Sequence, residues 1–175
     1  MATLKSLASK KVLVLKTDST LYEASRAMAN KSVGCALVSD GKGHIIGLIT
    51  DRDIACKGIG RQYSASSKID KLVSRDLIFV AENRTLQEAI LLMKEFGIRR
   101  LPVIRTLTNG RNKCVGILSA DDLIFAESVE MDDLAEIIRS QLPSNKKNKT
   151  KEISKRNKLR NFEILPRELQ PITMM

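Results

Sequence analysis

A chain of 175 residues is long enough for one domain, or for two small halves, and its 43 % apolar fraction can fill a core that must be aliphatic, because aromatics make up only 3 %. No run of 18 apolar residues exists, which excludes a membrane-spanning helix, and Met1–Lys5 opens without the apolar stretch of a secretory leader. Of the net charge of +10, Ser144–Met175 carries +6, so the part before it is only mildly basic.

In chain order, Val12–Leu15 reads as a short strand, and Thr17–Thr20 as a turn with an N-cap. Leu21, Ala24 and Met28 then fall on one helical face. Val33–Val38 reads as a buried strand, Asp40-Gly41 as a hairpin turn, and Ile45–Ile49 as the returning strand. Thr50–Asp53 opens a second helix, and Ser66–Leu72 reads as a short linking helix. The order then repeats. Leu77–Val80 is a strand, Leu86, Ala89, Ile90 and Met93 line a helix, and Ile98–Ile104 with Cys114–Leu118 form a hairpin. A broken helix starts at Ser119 and ends near Leu142, before Pro143. Ser144–Lys151 has no apolar period and suits a solvated linker.

The repetition extends to side chains. Thr20, Leu21, Glu23, Ala24 and Met28 recur 65 positions later as Thr85, Leu86, Glu88, Ala89 and Met93. Gly47-Leu48-Ile49-Thr50-Asp51-Arg52-Asp53 recurs 69 positions later as Gly116-Ile117-Leu118-Ser119-Ala120-Asp121-Asp122. The four extra residues lie between Val103 and Cys114, in a polar, turn-rich run where added length costs little.

The doubled motif of Gly, apolar residue, any, Ser or Thr, any, any, Asp follows an apolar hairpin and a Thr-x-x-Glu-Ala helix start. It resembles the cystathionine-β-synthase (CBS) domain, and two in tandem resemble a Bateman module, over roughly residues 8 to 127. Gly97–Val103 is also similar to the family's second-strand motif. The resemblance implies an α+β fold of two β-α-β-β-α repeats, packed about a pseudo-twofold axis, with a basic C-terminal tail. The expected spans are 1–67 for the first repeat, 68–143 for the second with its C-terminal helix, and 144–175 for a largely flexible tail. It further implies clefts between repeats that bind AMP, ADP, ATP or S-adenosylmethionine, and pairing of two chains into a homodimer.

The residues themselves support a nucleotide site without naming the base. An Asp three residues into a helix can accept from both hydroxyls of a ribose, and the unpaired amides of the helix start favour phosphate. Thr50 with Asp53, and Ser119 with Asp122, hold this position, although the same spacing is also a capping box that needs no ligand. Arg52, Arg99 and Arg100 are the phosphate candidates. By the family's pattern, one site joins Ser119, Asp122, Arg99 and Arg100 to Ser9, Leu13 and Val33. The other joins Thr50, Arg52 and Asp53 to Ser74, Ile78 and Ile98. Leu13, Val33, Ile78 and Ile98 also fit plain core roles. Gly34-Cys35 stands where the second repeat has Arg99-Arg100, so one site lacks basic side chains other than Arg52.

Nothing in the sequence points to catalysis. His44 is the only histidine and sits in a turn, no Ser or Cys has a paired base, and no metal-ligand spacing or phosphate-binding P-loop appears. Cys35, Cys56 and Cys114 lack C-x-x-C spacing and read as small hydrophobes of a reducing cytoplasm. The expected function is a regulatory module, neither enzyme nor cofactor carrier, that senses adenine nucleotides and signals to a protein target through a change of conformation or dimer geometry. The alternatives are a nucleic-acid-associated protein acting weakly through its basic tail, and a structural dimer with empty clefts.

Overall fold

The computed structural model describes residues 3–108, 112–125, 129–142 and 172–173. The elements run α1 (Leu4–Leu7), β1 (Val14–Lys16), α2 (Leu21–Lys31), β2 (Cys35–Ser39), β3 (His44–Thr50) and α3 (Asp51–Asp53). A π turn over Ile54–Gly58 and 3-10 turns over Ile59–Arg61 and Ile69–Leu72 follow. Then come β4 (Val80–Ala81), α4 (Leu86–Phe96), β5 (Arg100–Thr106), β6 (Asn112–Ser119), α5 (Ala120–Ile124), α6 (Met131–Arg139) and β7 (Ile172–Thr173). The fold is α+β. The basic segment 144–171, expected to be solvated, lies outside the described residues.

The duplicated helices form for the same local reasons. Thr20 and Thr85 each accept from the Glu23 or Glu88 amide at 3.2 Å, while that glutamate accepts from the threonine's own amide at 2.8 Å. These reciprocal bonds satisfy donors that the first turn leaves unpaired. Both helices end in a left-handed residue, Ser32 at φ 53° and Gly97 at φ 60°. Glycine adopts this conformation freely, whereas Ser32 carries a steric cost.

The chain divides into two compact units, each read over its described residues. One comprises Lys10–Leu77, Thr106–Cys114 and Leu165–Met175; the other comprises Met1–Ser9, Ile78–Arg105 and Val115–Ile164. Against spans cut at 67 and 143, residues 3–9 group with the second repeat and residues 68–77 with the first, so the opening segment of each repeat belongs to the other unit.

In the first unit, β1 runs parallel to β2, and β2 runs antiparallel to β3 with a register shift at Val38/Ser39. Asp40 closes the hairpin by accepting from the Lys42 and His44 amides at 2.8 Å. At the far edge of β3, His44 and Ile45 pair with Thr173 and Ile172 of β7. Leu21, Ala24 and Met28 of α2 pack with Ala36, Val38 and Ile49. Ile69 and Leu72, from the 3-10 turn, complete that core.

In the second unit, β4 runs parallel to β5, which neighbours β6. Ala89, Ile90 and Met93 of α4 pack with Leu101, Val103 and Leu118, joined by Leu4 and Ala8. Lys94 of α4 reaches Asp133 and Glu136 of α6. Burial opposes the charge on Lys94, but the two carboxylates outweigh it and raise its pKa above the ordinary value.

The motif glycines have a packing reason. In the first unit, Leu48 and Ser74 exchange both backbone hydrogen bonds, at 2.9 and 3.1 Å. A Cβ on Gly47 would collide with the Ser74 carbonyl oxygen and lie 2.5 Å from Val73 Cγ1. In the second unit, Ser9 and Ile117 exchange the same pair at 2.9 and 3.0 Å. A Cβ on Gly116 would lie 2.9 Å from Ala8 Cβ. Gly47→Val should therefore lower unfolding free energy by about 1–3 kcal/mol or more, as overpacking does. Gly41→Ala, with nothing within 4 Å of the added atom, should change it by less than about 0.5 kcal/mol. Urea denaturation of the two variants measures the contrast.

Candidate functional site

Each motif places its Ser or Thr at the last residue of a strand and its Asp at the third residue of the next helix. In the first unit, Thr50 ends β3 and caps α3. Its hydroxyl accepts from the Asp53 amide at 3.1 Å. Asp53 Oδ2 in turn accepts from the Thr50 amide at 3.0 Å and from the Thr50 hydroxyl at 2.7 Å. The second oxygen, Oδ1, is taken by Lys57 Nζ at 2.6 Å. Burial alone would push the Asp53 carboxyl up. The hydrogen bonds from Lys57 and Thr50, with the Lys57 charge, outweigh it and hold the carboxyl below its ordinary value.

The second unit repeats the cap but not the ion pair. Ser119 ends β6, and its hydroxyl accepts from the Asp122 amide at 3.1 Å. Asp122 Oδ2 accepts from the Ser119 amide at 2.8 Å and hydroxyl at 2.6 Å. Among the described residues, no cation pairs with Asp122, so Oδ1 is open to an added donor. The residue matching Lys57 in the sequence repeat is Ala126. A carboxylate oriented in this way through one oxygen can accept from a vicinal diol with the other.

The helix-start amides are less available than the sequence suggests. In the first unit, the Asp51 amide donates to the Gly34 carbonyl at 3.1 Å, and the Arg52 amide to Asp51 Oδ1 at 2.8 Å. With the Asp53 amide bonded to Thr50, that first turn is saturated. In the second unit, the Ala120 amide donates to the Arg99 carbonyl at 2.8 Å. That bond ties the start of α5 to the residue preceding β5, which sets Arg99 and Arg100 beside the Ser119 turn.

The second unit thus brings together Ser9, Arg99, Arg100, Ser119 and Asp122, with Ser9 paired to Ile117, two residues before Ser119. The first unit brings together Thr50, Arg52, Asp53 and Ser74, with Ser74 paired to Leu48, two residues before Thr50. Arg52, Arg99 and Ser74 are exposed, while Arg100 and Ser9 are half-buried. The apolar candidates are core-facing. Leu13 is buried in the first unit, and Val33 is partly buried against the same core. Ile78 and Ile98 pack against the core of the second. Lys57 was not anticipated from the sequence; its signal is the Asp-Lys spacing of four along a helix. Among the described residues, no cluster of His, Cys, Asp or Glu could hold a metal ion, and no helix is long and apolar enough to cross a membrane.

Thr50→Val removes the cap hydroxyl and should destabilise the chain by about 1 kcal/mol at neutral pH. Because the folded-state pKa of Asp53 is depressed, this stabilisation is present above the ordinary carboxylate value and is lost as pH falls through the lower folded value. The gap between wild type and Thr50→Val should narrow as pH falls below about 4, leaving the share owed to the Asp53 amide bond, which does not titrate, in urea titrations across pH.

The family model of the CBS domain matches residues 4–57 and 69–129. The chain is 34 % identical over 127 residues to an uncharacterized 17.7 kDa protein of Acidianus ambivalens, covering 72 % of this chain and 74 % of that one. It is 34 % identical over 103 residues to the CBS domain-containing protein CBSCBSPB5 of Arabidopsis thaliana, covering 58 % of this chain and 19 % of the longer plant protein. Its fold is similar to that of the CBS domain protein PAE2072 from Pyrobaculum aerophilum complexed with AMP. The TM-score is 0.62 at 21 % identity, over 79 % of this chain and 99 % of that one. It is also similar to the CBS domain pair of protein MJ0100 in complex with 5′-methylthioadenosine and S-adenosyl-L-methionine. Here the TM-score is 0.61 at 22 % identity, over 71 % of this chain and 94 % of that one. Two motif-bearing units, each matched by the family model, make this chain a member of the CBS-domain family with two CBS domains in tandem.

Proposed function

We propose that this chain is a regulatory module that binds an adenosine-containing ligand, AMP, ADP, ATP or S-adenosylmethionine, at its Ser/Thr-x-x-Asp turns. The observation that carries this reading is the Asp122 carboxylate. Ser119 fixes it through Oδ2, and Oδ1, which has no partner among the described residues, is the atom to accept from ribose hydroxyls. Arg99 and Arg100, set beside that turn by the Ala120–Arg99 bond, are the groups for phosphate. The adenosyl ligands of the Pyrobaculum protein and of the MJ0100 pair support the choice of base. The module acts without catalysis, passing binding on as a change of conformation or dimer geometry to a protein target in the cytoplasm.

A homodimer is part of this proposal. Ile59 follows the Thr50 turn, and Ile124 and Phe125 follow the Ser119 turn; all three are strongly exposed apolar side chains. Helices bearing such groups beside the ligand turns suit a symmetric interface that feels ligand binding.

Ligand that binds only the folded chain stabilises it by about 2.7 kcal/mol at a hundredfold excess over Kd. A dye-based melt, needed because the chain has no Trp, should show an upward shift with AMP, ADP, ATP or S-adenosylmethionine and none with Asp53→Ala/Asp122→Ala. Asp122→Ala alone should weaken the tighter site about ten- to a hundredfold, the loss of hydrogen bonds to a charged group. No shift at millimolar ligand, with calorimetry also silent, would refute the reading. Sedimentation at micromolar concentration should give twice the 19.5 kDa chain mass; a monomer with and without nucleotide would refute the dimer.

A further inference from the structure

We infer that Lys57 is an internal competitor for the ribose position at Asp53, so that the two turns fill in order, Asp122 first. The inference rests on the adenosyl-ligand reading above and assigns a specificity-determining role to a residue outside the repeated motif.

The two caps are near-identical in geometry, which isolates the difference. Both carboxylates spend Oδ2 on the capping Ser or Thr, through an amide at 2.8–3.0 Å and a hydroxyl at 2.6–2.7 Å. A diol can reach only Oδ1 without breaking the cap. At Asp122 that oxygen has no partner among the described residues. At Asp53 it holds the Lys57 ammonium at 2.6 Å, and the Asp53 side chain is only 14 % exposed. A hydroxyl approaching Asp53 competes with a charged donor for the one oxygen the cap leaves, and wherever it takes the ammonium's place it replaces a charge-assisted hydrogen bond with a neutral one. At Asp122 the same hydroxyl displaces solvent.

Lys57 is in place because of its backbone. The helix after α3 widens into the π turn Ile54–Gly58, which buries both Ile54 and Gly58. Gly58 sits against Leu21 and Leu72, where a Cβ would lie 3.2 and 3.3 Å from their methyl groups. With Ile54 and Gly58 fixed on the core side, Lys57 is directed back over the first turn onto Asp53. Its side chain remains 42 % exposed, so the ammonium can move into water when displaced, and the competition is reversible.

Adenosine is the probe, since it has the diol and no phosphate to recapture Lys57. Calorimetry on the full-length Asp122→Ala chain isolates the Asp53 turn. Adding Lys57→Met to that chain should tighten adenosine binding roughly three- to tenfold, the range of a partly exposed ion pair. Raising KCl to about 0.5 M should tighten binding to Asp122→Ala by screening the pair, and leave Asp122→Ala/Lys57→Met unchanged. Lys57→Gln serves as a second variant should the methionine perturb folding. Unchanged or weaker binding in both Lys57 variants overturns the inference while leaving the ligand reading intact. A wild-type chain that binds neither adenosine nor AMP fails both.

Discussion

The close approach of main chain to main chain at Gly47 and Gly116 is the constraint on which the rest of each unit depends. At Gly47 no side chain fits between β3 and Val73–Ser74, and at Gly116 none fits between β6 and Ala8–Ser9. Only with that contact closed can Leu48 bond Ser74, and Ile117 bond Ser9. Those paired bonds hold a distant segment two residues from the motif's own Ser or Thr. They also explain the composition of the units. Residues 4–9 open the first repeat yet supply Leu4 and Ala8 to the core of the second unit. Residues 69–73 open the second repeat yet supply Ile69, Leu72 and Val73 to the core of the first unit. A large residue at either glycine would thus break a hydrogen-bonded pair, lift apolar groups from a core and displace a site residue together.

Duplication preserved the scaffold and let the chemistry diverge. The reciprocal amide bonds of the capping boxes at Thr20 and Thr85 match, and the carboxylate caps at Thr50 and Ser119 match bond for bond. Differences gather at positions that the scaffold does not constrain. Arg99-Arg100 precedes one turn and Gly34-Cys35 the other, although the Gly34 and Arg99 carbonyls perform the same backbone task. Lys57 against Ala126 is the same kind of change, four residues beyond the capping carboxylate. The helix start needs its carboxylate for stability in both repeats. The charge placed around that carboxylate was free to vary, which makes the two turns chemically unequal.

Much of this was legible in the sequence because local rules carry it. The 65-residue offset predicts two equal helices, and α2 and α4 are each 11 residues long. The break after Ser119 is present as the interval between α5 and α6. What failed was nonlocal. Leu77–Val80 reads as a strand because it is apolar, but only Val80–Ala81 joins a ladder; Phe79 is buried and Ile78 partly buried without one. Apolarity predicts burial, and hydrogen-bonded pairing is a separate requirement. The helix from Thr50 looks regular in sequence, yet it passes through a π turn because Gly58 fits against Leu21 and Leu72. Lys57 was hidden for a related reason: an Asp-Lys pair four apart is usually a solvated surface contact, and only half-burial of Asp53 gives it weight.

The caps also say how binding could reach the rest of the fold. The α5 helix is five residues long and α3 gives way to the π turn after three, so each first turn leans on its cap. In each, the carboxylate that would receive a ribose is already the group that holds the first turn. A ligand on Oδ1 leaves the Oδ2 bonds in place and favours the charged, correctly oriented carboxylate that the cap needs. Under the proposed function, binding and capping would therefore reinforce each other through one side chain. The strongly exposed Ile59, Ile124 and Phe125 lie within ten residues of these turns, on the same helical segments. A change in the order of the first turn is thereby a change in how firmly those apolar groups are presented, with no long pathway needed between ligand and surface.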